Sequence, residues 1–365
     1  MASPEMRRRL YLRSVGRRRL VALRSVALLC GVGLSLVALS TNRHVALVGV
    51  STARANGLTP DPSPTIANSA AVTPFAPHAE GAGGVVAPSG AGGGGAAPPA
   101  TTRSVMSSGA SASFVRLSRI LPGRVELAIA PLGSGSTQVL GADIPAHGWS
   151  TTKVPVLVAL LKARGRAGLT ATENAVARSA ITESNNESIL ALFGALEHIE
   201  GGLHGASAYI QGLFRASGDD ETVVTTAPPP VGAVTTFGQT EWRPSEAVKF
   251  FRALGRGCLV PPEESRYVLN LMSNIEPSES WGLGSAGFGS VAFKGGWGPE
   301  PSGAYLVRQS GIVDPGSSRG VAVSIVAFPR SGSFSTGTQM LTQTSVWLRH
   351  ELRLVPRSVA PCTAT

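Results

Sequence analysis

Hydrophobic patterning changes twice along the 365-residue chain, from an apolar N-terminal stretch to a long segment without periodicity and then to strand and helix patterns. The strand patterns are residues 125–130, 137–141, 290–294, 303–309 and 320–328. The helix patterns are residues 186–199, 245–254, 264–274 and 342–352. The first two strand patterns flank a glycine- and serine-rich turn, which predicts a β-hairpin. The order of the elements predicts an α+β fold in which a helical segment interrupts the sheet.

A helix that is apolar on every side begins near Ser150. Residues 156–161 are all Val, Leu or Ala, and such a helix is buried rather than amphipathic. Ser150 and Lys153 are three positions apart and share one face of it. A hydroxyl beside an amine at the start of a buried helix is typical of a nucleophile and its base, and the first N–H groups could stabilise an oxyanion. The alternative is that Ser150 caps the helix while the Lys153 amine reaches solvent.

Lysine usage favours the chemical interpretation. Only four of the 32 Lys and Arg residues are lysines, and one of them, Lys153, stands three residues after a serine. Arginine keeps its proton at any working pH, whereas a buried lysine can lose one. The choice of lysine at this position therefore suits a base.

The net charge of +10 belongs to the N-terminus. Residues 1–55 contain ten arginines and one acid, so the rest of the chain carries only +1, and no nucleic-acid partner is expected. Arginines before an uncharged stretch at 25–42 are typical of an export signal, which is also long enough to anchor the chain in a membrane. We therefore expect an exported, extracytoplasmic protein.

The predicted domain organisation has four parts. Residues 1–55 are the signal peptide or membrane anchor, and residues 56–112 are a disordered linker rich in Ala, Gly, Pro and Ser. Residues 113–356 are the folded domain, and residues 357–365 are a tail. We expect a monomer that meets the membrane only through its N-terminal segment.

Cysteine and histidine positions exclude some functions. Cys258 and Cys362 could form a disulfide in an exported chain, although the sequence does not establish that they are close. The six histidines lack the spacing of metal ligands, so we expect no metal and no cofactor. His147, although near Ser150, is expected to be structural or solvent-facing.

Two further short motifs could meet Ser150 in the fold. Ser184 and Asn186 stand at the start of a predicted helix. Four consecutive residues close the strand at 290–294: Lys294, Gly295, Gly296 and Trp297. Each motif has a structural alternative. Ser184 could cap its helix in a capping box with Glu187, Lys294 could be an ordinary strand-end charge, and the glycines could form a bulge.

The order S-x-x-K, S-x-N and K-x-G resembles the motif set of the class A β-lactamases and their D-alanyl-D-alanine peptidase relatives. The likeness covers about residues 114–354. It includes residues 214–220, which are similar to the stretch before the class A omega loop, and residues 240–244, which are similar to the start of the next helix. The resemblance implies an antiparallel sheet flanked by helices. Because Ser150 and Ser184 are only 34 positions apart, it also implies a shortened all-helical insertion.

The resemblance assigns catalytic roles to four matching residues. Ser150 would attack a carbonyl, and Lys153, when neutral, would take its proton. Ser184 would pass a proton to the leaving nitrogen. Lys294 would tune the Ser184 hydroxyl and attract a substrate carboxylate.

Other matching residues would bind substrate. Asn186 would hydrogen-bond the substrate amide and help to orient Lys153. The backbone N–H groups of Ser150 and Trp297 would form the oxyanion hole. Gly295 and Gly296 would lie beside it on the same strand.

Two departures from the family pattern change the expected activity. Gly295 stands where the family usually has a hydroxyl residue, which removes a donor for a substrate carboxylate. Residues 225–232 contain no carboxylate and no asparagine, whereas the class A omega loop supplies a glutamate that activates the deacylating water. We therefore expect an acyl-enzyme at Ser150, formed with a β-lactam or a peptidoglycan-derived D-alanyl peptide, that deacylates slowly.

Two other functions fit the same sequence. A cell-wall (peptidoglycan) binding module could keep the fold and lose turnover, and the two departures favour it. A tethered scaffold, in which the Pro- and Gly-rich segment carries the function, has only composition in its support.

Overall fold

The computed structural model describes residues 104–359 and 361–362, so the predicted segment 1–55 and the linker up to residue 103 lie outside the described residues. Five strands form one antiparallel sheet in the order β2-β1-β5-β4-β3. The strands are β1 (Gly123–Pro131), β2 (Gln138–Leu140), β3 (Val291–Pro299), β4 (Tyr305–Val313) and β5 (Val321–Pro329). The helices are α1 (Ala110–Ile120), α2 (Lys153–Arg164), α3 (Ala171–Thr182), α4 (Asn186–Glu200), α5 (Leu203–Ala216), α6 (Pro244–Gly255), α7 (Pro262–Ser273) and α8 (Phe334–Glu351).

The sheet is covered on both faces. Every residue of β5 except Phe328 is buried, and successive side chains of a strand point to opposite faces. The helices α6 and α8 pack against β1, β4 and β5. The strand β3 lies at the edge of the sheet and pairs only with β4 among the described strands, which leaves its other side facing the turn before α2.

The helix α2 is the centre of the helical part. Its residues from Lys153 to Leu161 are all buried, and it packs against α4, α5 and α7. A helix that is apolar all round needs neighbours on every side, which this position supplies. The predicted α+β fold, with an antiparallel sheet and a helical insertion, is confirmed.

Three helices were missed by the hydrophobic pattern: α1, α3 and α5. In α3, half of the buried residues are alanines, Ala177 and Ala180, and the others are Ile181 and Thr182. Alanine contributes little to hydrophobic periodicity, so the helix has no apolar stripe in its sequence. In α1, the start of the helix has the Ala- and Ser-rich composition of the preceding segment.

The folded domain extends beyond residues 113–356 at both ends. Val105 and Met106 are buried in the core, and Met106 forms a bridge with Leu352 after α8. At the other end, Cys362 forms a disulfide with Cys258, which lies between α6 and α7. These contacts join positions far apart in sequence, so local composition did not indicate them. None of the helices in the described part of the chain is long and apolar enough to cross a membrane.

Candidate active site

Ser150 lies in a short 3-10 turn, Trp149–Thr152, that leads directly into α2. The Thr152 hydroxyl donates to the Trp149 carbonyl at 2.6 Å and tightens the turn. Because α2 begins at Lys153 with Thr152 as its N-cap, the alternative in which Ser150 caps this helix is wrong. The Lys153 side chain does not reach solvent either, since the residue is 1% exposed.

The Lys153 amine contacts the start of the S-x-N motif. Its Nζ donates to the Ser184 carbonyl, donates to Asn186 Oδ1 at 2.8 Å and lies 3.3 Å from Ser184 Oγ. Burial, and after it the nearby Lys294 ammonium, lower the pKa of Lys153 to about 7, while Glu279 acts in the opposite direction. A lysine with this pKa is partly neutral near pH 7 and can accept a proton.

Ser184 joins α3 to α4 in a left-handed backbone conformation, with φ of 56°. This conformation is costly for a residue other than glycine and is often found at functional sites. The predicted capping box of Ser184 and Glu187 is wrong, because the N-cap of α4 is Asn185, whose side chain accepts from the Ser188 N–H at 2.8 Å. Ser184 therefore turns its hydroxyl toward the lysines.

Lys294 reaches the same hydroxyl from the strand β3. Its Nζ donates to Ser184 Oγ at 2.8 Å, to Glu279 Oε2 at 3.0 Å and to the Gly295 carbonyl at 3.2 Å. The residue is completely buried, so it is not an ordinary strand-end charge. Burial lowers the pKa of Lys294, and Glu279 opposes this effect. The sequence prediction missed Glu279, because nothing in its local pattern connects the 3-10 turn Pro277–Glu279 with Lys294.

Gly295 and Gly296 of β3 allow close approach rather than forming a bulge, since the register with β4 is continuous across them. A Cβ at Gly296 would lie only 2.9 Å from the Ser150 backbone nitrogen, so the strand runs directly against the Ser150 turn. A Cβ at Gly295 would lie 3.0 Å from the indole ring of Trp281. Trp281 therefore fills the space beside Gly295.

A cleft of about 400 Å³ brings Ser150, Ser184, Asn186 and Trp297 together. Lys153 and Lys294 lie behind Ser184 and hydrogen-bond to its atoms. The cleft is lined by Trp149, Ser150, Glu183, Ser184, Asn186, Gly232, Val234, Thr235, Glu279, Trp297, Gly298, Pro299 and Tyr305. The segment 225–239 thus contributes only uncharged residues to the lining.

Other residues near the motifs have structural surroundings. Trp242 is completely buried and packs on Phe214 at a centroid distance of 5.0 Å. His147 Nδ1 lies 3.0 Å from Glu300 Oε1, outside the cleft lining, and this hydrogen bond raises the pKa of His147. Across residues 104–359 and 361–362, no cluster of three or more His, Cys, Asp or Glu side chains could hold a metal ion.

Comparison with solved structures identifies the fold. No protein-family model matches the chain, and no curated protein sequence matches it. A chromosome-encoded β-lactamase of Vibrio parahaemolyticus superposes with a TM-score of 0.52 at 14% identity, covering 66% of this chain and 98% of its own. A class A β-lactamase from Mycobacterium abscessus gives 0.50 at 16% identity, covering 66% and 98%. An ancestral class A β-lactamase gives 0.52 at 16% identity, covering 66% and 99%. The chain therefore has the fold of the class A β-lactamases.

Proposed function

We propose that this protein is a serine acyl-transfer enzyme that forms a covalent acyl-enzyme at Ser150. One observation carries the proposal. The hydroxyl of Ser184 lies 2.8 Å from the Lys294 amine and 3.3 Å from the Lys153 amine, beside a cleft lined by Ser150. Both lysines are buried, and both contact the same hydroxyl. Burying an ammonium costs stability, so this arrangement has no evident structural advantage.

Acylation uses these groups in sequence. Ser150 Oγ attacks the carbonyl carbon of an amide, and the Lys153 amine takes the hydroxyl proton as the O–C bond forms. The oxyanion is held by the backbone N–H groups of Ser150 and Trp297. The C–N bond then breaks, the leaving nitrogen receives a proton through Ser184, and the acyl group stays on Ser150 as an ester.

The surroundings of the two lysines assign them different roles. Lys153 is surrounded by neutral oxygen acceptors and by a second ammonium, which makes its neutral form accessible. Lys294 has the Glu279 carboxylate as a partner at 3.0 Å, which favours its charged form. Lys153 is therefore the base, and Lys294 is the cation that orients the Ser184 hydroxyl.

Release of the acyl group would be slow. Hydrolysis of the ester needs a base that removes a proton from water as the water attacks the carbonyl carbon. The segment 225–239 has no acid. The two glutamates of the cleft lining already have partners, since Glu279 binds Lys294 and Glu183 accepts from Ser179 Oγ at 2.7 Å. The acyl-enzyme is thus expected to accumulate with a β-lactam or a D-alanyl peptide.

Export is part of the proposal. The arginine-rich, then apolar, N-terminal segment supports it, although that segment lies outside the described residues. The disulfide between Cys258 and Cys362 supports it independently, because structural disulfides are typical of oxidising compartments. Fractionation of cells that express the full chain would test this part.

Covalent labelling tests the acyl-enzyme. The protein is incubated for hours with a fluorescent penicillin and analysed by intact mass, beside Ser150→Ala as a matched control. We expect one adduct per chain, located at Ser150 by peptide mapping, absent from the variant and persistent after free label is removed. Rapid turnover of a chromogenic cephalosporin would contradict the slow deacylation. Absence of an adduct with every acyl donor tried would contradict acyl transfer.

A second candidate is a peptidoglycan-binding module on the same fold. The uncharged lining from residues 225–239 favours it, since a binding module needs no deacylating base. The same control separates the two functions. A binding module would retain equal, reversible affinity for cell-wall peptides in Ser150→Ala and would form no covalent adduct.

A further inference from the structure

The ammonium of Lys294 has no donor left for a substrate. An ammonium has three N–H donors, and those of Lys294 are directed to Ser184 Oγ, Glu279 Oε2 and the Gly295 carbonyl. The side chain is also completely buried. A substrate carboxylate could bind Lys294 only by displacing the Glu279 carboxylate, which already neutralises the charge.

The charge of the cleft is unfavourable for an anion. Its lining contains two carboxylates, those of Glu183 and Glu279, and no lysine, arginine or histidine among the residues that the structure describes. The Glu279 side chain is 12% exposed, so one of its faces is open to the cleft. Like charges placed together in a partly desolvated site repel strongly. A carboxylate beside Lys294 would therefore meet Glu279 before it met any free cation.

The wall next to Lys294 is aromatic. Trp281, Trp297 and Phe334, which we name the aromatic wall, have ring centroids 5.1 to 6.1 Å apart. Trp281 covers Gly295, where a side chain would need to displace the indole ring. Of the three rings, Trp297 lines the cleft, and Trp281 and Phe334 pack against it. Aromatic faces of this kind bind apolar or aromatic groups and do not solvate a carboxylate.

We infer that the acyl donor of this cleft carries an uncharged, apolar or aromatic group on the Lys294 side, instead of a carboxylate. The inference rests on the proposed acyl transfer at Ser150 and ranks its substrates: neutral amides or esters acylate faster than donors that carry a carboxylate. Glu279 and Trp297, which both line the cleft, are the residues that determine this specificity. Lys294 then serves to orient Ser184, and not to attract a carboxylate as the family resemblance implies.

A matched pair of acyl donors tests the inference. Benzylpenicillin and its methyl ester share the same β-lactam ring and side chain and differ only in the carboxylate, which stays in the ring-opened adduct. Acylation of Ser150 is followed by intact mass, and each rate is divided by the rate of alkaline hydrolysis of the same compound. We expect the ester to acylate about tenfold faster than the acid on this scale. An acid that acylates as fast as the ester, or faster, would overturn the inference and leave acyl transfer at Ser150 intact.

Variants identify the origin of the preference. Glu279→Gln removes the negative charge and should reduce the ester-to-acid ratio several-fold, with its fold verified by thermal melting. Glu183→Gln changes an exposed position on the rim of the cleft and should reduce the ester-to-acid ratio less than Glu279→Gln does. It keeps the test available if Glu279→Gln does not fold. A ratio unchanged in both folded variants would overturn the electrostatic argument. If neither compound ever forms an adduct, the proposed acyl transfer itself fails, and the inference fails with it.

Discussion

Two sides of the cleft each bury one lysine against Ser184: the helix side, formed by α2, and the strand side, formed by β3. The two lysines differ in whether a carboxylate lies beside them. On the helix side, Lys153 contacts only neutral oxygens. On the strand side, Lys294 contacts the Glu279 carboxylate at 3.0 Å. Both lysines lose the stabilisation that water gives to a charge, and only one has it replaced by a counterion.

In the proposed mechanism, this difference separates the base from the fixed cation. Burial alone would lower the pKa of both lysines, so burial does not distinguish them. The Glu279 carboxylate opposes the lowering of the Lys294 pKa by burial, and the Lys294 ammonium in turn lowers the pKa of Lys153. One hydroxyl, that of Ser184, can therefore accept a hydrogen bond from the cation and relay a proton from the base.

Removal of the base should have the largest effect. In Lys153→Met the amine is lost while the volume of the buried side chain is nearly kept, so we expect acylation of Ser150 to slow by about 10³-fold. Thermal stability should not fall, since an apolar side chain replaces a buried amine. The matched control is Lys162→Met, an exposed position on the same helix, which should acylate normally. A rate for Lys153→Met within tenfold of the unmodified protein would place the base elsewhere.

A side chain added at Gly296, between β3 and the Ser150 turn, should have the next largest effect. In Gly296→Ala the new Cβ would lie 2.9 Å from the Ser150 nitrogen and would push the strand away from the turn. We expect acylation to slow by about 10²-fold, because small misplacements of reacting groups are costly. Gly289→Ala is the control, since no atom lies within 4 Å of its added Cβ. Equal acylation rates for the two variants would argue against a close fit at Gly296.

The pH dependence of the acylation rate should follow the pKa of Lys153, the lysine on the helix side. Only neutral Lys153 accepts a proton, and its pKa is about 7, so the rate should rise about tenfold between pH 6 and pH 8 and level off above. Lys294→Met removes the neighbouring ammonium that lowers this pKa, so the profile of the residual rate should move to higher pH. A flat profile from pH 6 to pH 8 would exclude Lys153 as the base.

The smallest expected effect is on the stability of the protein and comes from Glu246, a buried carboxylate near the like charge of Asp219. Burial and the nearby Asp219 raise the pKa of Glu246 to about 6, against the pairing with Lys249 at 2.7 Å. The folded protein therefore holds this proton more tightly than the unfolded chain does. The free energy of unfolding should fall as pH rises from about 4.5 to about 6, by on the order of 1 kcal/mol. Glu246→Gln should remove that decrease in urea titrations, and an unchanged decrease would point to other groups.

Prediction from the sequence succeeded where the signal was local. The apolar run of α2, the S-x-x-K spacing and the strand that carries Lys294 each lie within one short stretch. The fold class followed from the order of these elements. Prediction failed where the signal lay in contacts between distant segments. Because α3 is rich in alanine, its sequence shows no apolar stripe. The N-cap of α4 is Asn185 in the structure, whereas the sequence suggested Ser184.

Glu279 shows the same limit within the cleft. Its position, shortly before β3, carries no motif, and the sequence around it predicted only a loop. Glu279 matters because it lies 3.0 Å from Lys294, and Trp281 matters because Gly295 leaves room for its ring. Both relations depend on how the chain folds back on itself after α7.

By itself, the sequence determined the residue types available for chemistry, the buried helix that follows Ser150 and most of the succession of strands and helices, because these properties depend on neighbours along the chain. Only the tertiary structure decided which of the two lysines has a carboxylate beside it, and therefore which one we propose as the base. The pKa of a buried amine depends on the charges within a few ångströms of it, and those charges come from segments that the linear order keeps apart.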